Sequence, residues 1–347
     1  MSIGWGFIGT GNYPNSRIAP AAALAEDTSI VAAYSRDQER AERFVRSHGA
    51  QASYTSVERL LADSRVDVVF IASPNHLHAE HAKLAAEAGK HVLVEKPMAT
   101  TTSDAVAIIE SCKVNGVKLA VGFQLRYHPG HIEARRLVQD GVLGQVSFIH
   151  GLIGSGIRGE TQREIRSGLR SWWEAPDMVG NAMTFIGSGV HAMDAMENVL
   201  GQTVVEVAAI TDGQTAETPL ESLASLTLRF SGGAIGTLCS SSRVPDAIND
   251  VTVYGSDGRI ILKDSSRPVM GGGLEINSET VNSSVIYESD ALALAKWQIE
   301  GFNRAITRDE GSYATGMDGL RSVQITEAMI ESAKTRRIVR VEPIQVN

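Results

Sequence analysis

Lys90-His91-Val92-Leu93-Val94-Glu95-Lys96-Pro97-Met98 gives the chain its first point of reference. Val92, Leu93 and Val94 form a short continuous apolar run, the pattern of a strand covered on both faces. The run stops on a charged pair and a proline. Proline ends a strand ladder and pushes Lys96 away from helical geometry. An ammonium is thereby held at the carboxyl end of a strand, where open α/β sheets receive their ligands. Taken alone, the same residues also describe a strand ending in a solvated Glu-Lys turn. The neighbouring segments decide between the two.

Upstream, Ile3 to Ile8 is an apolar strand running into Gly9-Thr10-Gly11-Asn12-Tyr13-Pro14, followed by a helical stretch from Ser16 to Ala25. Strand, glycine turn and helix is the setting a dinucleotide fingerprint requires. Gly9 permits the tight turn, and Gly11 lets backbone amides approach a pyrophosphate. The third glycine slot holds Pro14, so the fingerprint is incomplete. The next strand, Ser29 to Tyr34, ends in Ser35-Arg36. An NAD-selective site usually ends this strand with an acid for the ribose 2′-hydroxyl. A hydroxyl and a guanidinium suit a 2′-phosphate instead. NADP(H) is the preferred expectation, and Asp37, one residue on, keeps NAD(H) open. Ser35 also reads as a helix N-cap.

Helices are expected over Asp37–His48, Ser56–Asp63, Ala79–Ala88 and Thr100–Asn115. Strands are expected over Val66–Ala72, Val92–Lys96 and Val117–Phe123. The resulting order, β-α-β-α-α-β-α-β-α-β, describes a doubly wound parallel sheet. The Val66 strand ends in Ser73-Pro74-Asn75-His76-Leu77-His78. His76, His78 and His81 match no compact zinc spacing, so no metal is expected. Gln124-Leu125-Arg126-Tyr127-His128-Pro129 shifts toward polar and aromatic types, which sets the domain boundary after Phe123. Residues 1–123 then form the dinucleotide-binding domain and 124–347 the domain for substrate binding and oligomerisation.

After a helix near His131 to Asp140, strands are expected from Gly144 and over Val204–Thr211, Ser222–Phe230, Ala234–Ser240, Asp250–Tyr254 and Arg259–Leu262. Successive strands without intervening helices argue a large, mostly antiparallel, open-faced sheet in an α+β domain. Helices over Leu292–Thr307 and Asp318–Lys334 and a short strand at Ile338–Val341 complete the chain. Arg163, Arg166 and Arg170 crowd the stretch before Trp172-Trp173.

The 347 residues suit two domains, and 43% hydrophobic with 21% charged residues supports an ordinary core. A formal net charge of −8 argues against a nucleic-acid partner held through phosphates. Cys112 and Cys239 lie far apart, as in a reducing compartment without a disulfide framework. With no signal segment and no bilayer-length apolar run, a cytoplasmic protein without a membrane partner is expected.

These segments together resemble the glucose-fructose oxidoreductase / inositol dehydrogenase family of pyridine-nucleotide oxidoreductases. The matching pieces are Gly9-Thr10-Gly11-Asn12, Ser73-Pro74-Asn75 with His78, Glu95-Lys96-Pro97, Arg126-Tyr127 with Pro129, and His191-Ala192-Met193-Asp194. The resemblance implies hydride transfer between a nicotinamide and a sugar, polyol or keto-sugar. It places Tyr13, Gln124 and Arg126 with Ser73, Pro74, Asn75, His78, Glu95 and Lys96 among the cofactor contacts. It sets His191 near the nicotinamide as acid–base partner to Lys96. Arg126, Tyr127, Trp172 and Trp173 are then candidates for the sugar's hydroxyls and apolar face. Many members carry an aspartate four residues before this histidine, where Gly187 stands here, and no Asp or Glu occurs from Met178 through Val190. That departure supports a second reading, a nucleotide-binding regulator without turnover; the resemblance leaves a third, a glycosidase that uses a nicotinamide transiently. A homodimer or homotetramer is expected through the exposed sheet face.

Overall fold

The computed structural model describes residues 2–160, 165–311 and 313–346, so Arg163 lies outside the described residues. The chain forms two compact units. The first holds the residues up to Gln124 together with Ala291–Leu320; the second holds Leu125–Asp290 and Arg321–Ile344.

The first unit is built on six parallel strands: β1 (Ile3–Ile8), β2 (Thr28–Tyr34), β3 (Ala52–Tyr54), β4 (Val68–Ile71), β5 (His91–Val94) and β6 (Leu119–Val121). Their order is β3-β2-β1-β4-β5-β6, which reverses direction between β1 and β4, the switch point at which such sheets bind nucleotides. Every residue of β1 and of β4 is buried, as their unbroken apolar runs require. β3 is absent from the expected order because its three half-buried residues, Ala-Ser-Tyr, carry no apolar run. The expected single helix after β1 is instead a π turn, Pro14–Ile18, joined to a short α-helix, Ala19–Leu24. Pro14 opens that turn, where a missing amide costs little.

The helix Ala293–Arg308 belongs to this unit, which corrects the expectation of an unbroken second domain over 124–347. Its apolar face, Ala295, Ile299, Phe302 and Ala305, joins one core with Trp5, Phe7, Ile18 and Phe70. Trp5 Nε1 donates to Asn303 Oδ1 at 3.1 Å, and Asn303 Nδ2 donates to Thr28 Oγ1 at 2.8 Å. Periodicity announces the helix but not which sheet it covers, since its partners lie nearly 300 residues away.

The second unit carries nine strands: β7 (Val146–Gly154), β8 (Val204–Thr211), β9 (Leu223–Phe230), β10 (Ile235–Ser241), β11 (Val251–Gly255), β12 (Gly258–Lys263), β13 (Gly273–Ser278), β14 (Asn282–Ile286) and β15 (Val339–Arg340). Their order is β14-β13-β12-β11-β7-β10-β9-β8-β15, antiparallel except for the β7–β10 pair. In β9, Ala224, Leu226, Leu228 and Phe230 are buried while Ser225, Thr227 and Arg229 are exposed, the alternation of a sheet covered on one face. Helices Pro129–Gln139 and Val190–Leu200 pack on each other and on this sheet. β13 and β14 escape the sequence reading because β13 follows a glycine run and β14 is exposed throughout.

Phe302 is fully buried and meets Trp5 edge-on at 6.4 Å. Phe302→Ala is expected to cost about 3–5 kcal/mol of stability, measured as a shift in the urea midpoint; a loss below about 1 kcal/mol would contradict this placement of the helix.

Candidate active site

In the first unit the strand ends are bonded in series. Ala72 N–H donates to Ile8 O, Glu95 N–H to Ile71 O, and Gly122 N–H to Val94 O, each at 2.9 Å. The loops after β1, β4, β5 and β6 are therefore held level with one another. Gly9, with φ +112°, ends β1, and a Cβ there would fall 2.6 Å from Ala72 O. Only glycine fits. At Gly11 a Cβ would meet nothing within 4 Å. Packing does not demand glycine there, whereas close approach of a dinucleotide does, so the turn fits the cofactor its sequence suggests.

The loop after β4 places Asn75, buried, at the head of a short turn leading into helix His78–Glu87. His78 is buried between two carbonyls: Nδ1 lies 2.8 Å from Pro97 O and Nε2 lies 2.8 Å from Ser73 O. The two acceptors favour a doubly protonated ring, but burial outweighs them and lowers its pKa to about 4. His81 Nδ1 contacts Ser73 Oγ at 2.9 Å. Among the described residues no His, Cys, Asp and Glu cluster has the geometry of a metal site.

After β5, Glu95 is buried and Lys96 half-buried, and the Lys96–Pro97 bond is cis. Glu95 Oε2 accepts from the Lys96 amide at 3.3 Å, and Oε1 accepts from Gln124 Nε2 at 3.3 Å. Gln124 Nε2 also donates to Tyr13 Oη at 2.9 Å. Three expected site residues from the ends of three elements thus form one chain, with Lys96 at its end. Burial raises the Glu95 pKa to about 7, opposed by the Lys96 charge. Burial, and then the Glu95 charge, push the Tyr13 hydroxyl well above its ordinary value.

At the end of β2, Ser35 is not the helix cap. Asp37 caps Gln38–His48, accepting from the Arg40 amide at 2.9 Å, while Ser35 Oγ accepts from the Asp37 amide at 3.2 Å. Arg36 is exposed. The acid that kept NAD(H) open is therefore committed to its own helix.

In the second unit, His191 lies buried in the first turn of Val190–Leu200, directly after a π turn, Phe185–Gly189. Arg126 grips Asp194 with Nε at 3.2 and 3.0 Å from its two oxygens and a terminal nitrogen at 2.6 Å. This buried fork is a contact across 68 residues that no motif announces. Trp172 and Trp173 lie with ring centroids 4.7 Å apart, tilted by 31°, and pack against Val179, Met183 and Leu220. The Arg166 guanidinium lies 4.0 Å above the Trp173 ring.

Residues 3–123 match the oxidoreductase family with an NAD-binding Rossmann fold, and residues 131–261 match the GFO/IDH/MocA C-terminal domain. The chain belongs to the Gfo/Idh/MocA family. Within that family it is 27% identical to a D-xylose 1-dehydrogenase (NADP(+)) of Haloferax volcanii over 97% of this chain and 99% of the relative. It is likewise 27% identical to a 1,5-anhydro-D-fructose reductase of Ensifer adhaerens, over 97% and 98%. Among solved structures, the aldose-aldose oxidoreductase of Caulobacter crescentus superposes with a TM-score of 0.85 at 26% identity, covering 98% of this chain and all of that one. This Gfo/Idh/MocA chain is an NAD(P)-dependent oxidoreductase. No helix among its described residues is long and apolar enough to cross a membrane.

Glu95 supplies a pH test of the first unit. Its folded pKa, about 7, exceeds the ordinary 4.5, so between these values the folded chain holds a proton that the unfolded chain releases. Its contribution to stability therefore falls as pH rises through that window. The melting temperature of Glu95→Gln minus that of the wild type should grow from pH 5 to pH 8, and a flat difference would show that Glu95 titrates normally.

Proposed function

We propose that this chain transfers a hydride between NADP(H) and a hydroxyl or carbonyl carbon of a sugar or polyol. The observation that carries the reading is Lys96, set at the carboxyl end of β5 above a buried carboxylate and level with the glycine turn after β1. The relatives named for xylose and anhydrofructose supply the substrate class.

Gly9, Thr10, Gly11 and Asn12 would hold the cofactor's pyrophosphate. Ser73, Pro74 and Asn75 would border its nicotinamide. When bound, that ring supplies or receives the hydride. Lys96 hydrogen-bonds the reacting oxygen, and its charge favours the alkoxide that develops there. His191 takes the hydroxyl proton in oxidation and returns it in reduction; an ordinary imidazole exchanges protons near neutral pH. Within the second unit, Tyr127, Trp172, Trp173 and Arg126 are the aromatic and cationic groups suited to a sugar. Arg126 acts there through the orientation its fork with Asp194 imposes.

Preference for NADP(H) is supported by the commitment of Asp37 to its helix cap, with Ser35 and Arg36 as the groups left for a 2′-phosphate. Arg36→Ala should raise the Kd for NADPH about tenfold or more, the worth of a charge-assisted bond, while leaving NADH binding within about twofold. Equal effects on both cofactors in a fluorescence titration would remove the 2′-phosphate assignment.

Turnover is best followed as nicotinamide absorbance across a panel of aldoses, polyols and keto-sugars. Lys96→Ala and His191→Ala should each lower kcat by about 10²-fold or more with NADPH binding nearly unchanged. Wild-type turnover in both variants would refute the mechanism.

A further inference from the structure

Glu221 has no part in the chemistry above, yet its side chain is shut away from solvent, two residues before β9. Its carboxylate receives four hydrogen bonds. The Met183 amide donates to both oxygens at 3.0 Å, the Phe185 amide to Oε1 at 2.8 Å, and Gln214 Nε2 to Oε2 at 3.1 Å. The Glu221 carbonyl accepts from Thr184 Oγ1 at 3.2 Å. Three consecutive residues, Met183 to Phe185, are thus clamped to one acid. Ser240 closes the clamp by donating to Thr184 O at 3.3 Å.

The clamped turn runs directly into the helix that carries His191. Phe185 opens the π turn, Gly187 N–H donates to Met183 O at 2.8 Å, and Val190 N–H donates to Phe185 O. Gly189 leaves no slack, because a Cβ there would lie 2.5 Å from the Phe185 ring and 3.0 Å from Ser240. A displacement at Phe185 is therefore passed to the first turn of Val190–Leu200, where His191 sits.

We propose that Glu221 is a positioning residue for the reaction, fixing the Met183–Phe185 turn and, through the continuous bonds from Phe185 to Val190, the direction in which His191 presents its imidazole. The inference rests on the reading of His191 as acid–base partner. Stability alone does not call for such an anchor. Three helices of the first unit are capped by Asp37, Ser56 and Thr101, short side chains near solvent. Sealing a carboxylate away from water carries a desolvation cost that those caps avoid. What the buried acid adds is direction: every partner of its two oxygens is an N–H donor, held at fixed angles to a rigid sheet. A glutamine there would offer one acceptor oxygen and turn an N–H₂ group toward donors.

The test is a double-mutant cycle on single-turnover hydride transfer, using the sugar that reacts fastest in the panel. Glu221→Gln should lower the rate about tenfold to a hundredfold, the cost of misplacing a reacting group by a fraction of an ångström to an ångström. NADPH binding should stay within about twofold, since Glu221 is not among the proposed cofactor contacts. In His191→Asn, adding Glu221→Gln should cost less than a further twofold, roughly the limit of independent effects. Losses that multiply in the double variant would overturn the proposal, because they would show that Glu221 acts without His191. A wild-type rate in His191→Asn would instead remove the reading of His191, and this inference with it. Should Glu221→Gln lack a cooperative melt, the same cycle is run with Gln214→Ala, which removes one of the three donors that make the four bonds. A loss of about two- to fivefold that vanishes in His191→Asn supports the proposal, and a loss that persists overturns it.

Discussion

The contact between Gly9 and Ala72 O governs the first unit. At φ +112° the chain leaves β1 so close to the end of β4 that no side chain fits between them. This is also where strand order reverses, with β2 and β3 on one side and β4, β5 and β6 on the other. The bonds from Ala72 to Ile8, Glu95 to Ile71 and Gly122 to Val94 carry the alignment across the sheet. A side chain at position 9 would force the first of these apart, and the level of Ser73 and Lys96 relative to the glycine turn would go with it. The placement of the ammonium is thus a consequence of backbone geometry two strands away.

Each unit holds a buried carboxylate whose pKa burial raises, and the two acids are bonded differently. Among the described residues Glu95 receives two long bonds, from Gln124 and the Lys96 amide, and desolvation raises its pKa to about 7. Near neutral pH it is poised between charged and uncharged forms beside an ammonium, which suits a group that adjusts charge at the strand end. For Glu221, burial again raises the pKa, but the Phe185 and Met183 amides and Gln214 oppose it. A carboxylate with that many donors is an anchor, because losing its charge would strand several N–H groups at once.

Much of this was legible in the chain because the decisive signals are local. The unbroken apolar runs of β1, β4 and β5 announce strands covered on both faces, and the alternation in β9 announces a sheet covered on one. The Glu95-Lys96-Pro97 turn announces a charged strand end. What escaped depends on separation along the sequence or on a weak local pattern. Trp5 with Asn303 and Arg126 with Asp194 are contacts across 298 and 68 residues. β14 has no buried residue to mark it. Ser35 and Asp37 are both good caps by type, and only the backbone at Asp37, extended and facing the Arg40 amide, decides between them. Glu221 stands in a polar stretch, Glu217 to Ser222, that reads as a loop approaching a strand.

Gly187 sharpens the question of which groups handle the proton. Its backbone is not left-handed, and among the described residues a Cβ there would meet Trp173 alone, in ordinary contact at 3.8 Å. Neither strain nor crowding at Cβ requires glycine at the place where the family resemblance leads one to look for an aspartate. The stretch from Met178 through Val190 supplies no other acid, and the Asp194 carboxylate carries the Arg126 guanidinium. A histidine without a carboxylate on the preceding turn depends on the rest of its surroundings for orientation. The clamp at Met183 to Phe185 meets that need from the backbone side: it fixes where the helix begins, and the start of a helix fixes the direction of every side chain in its first turn.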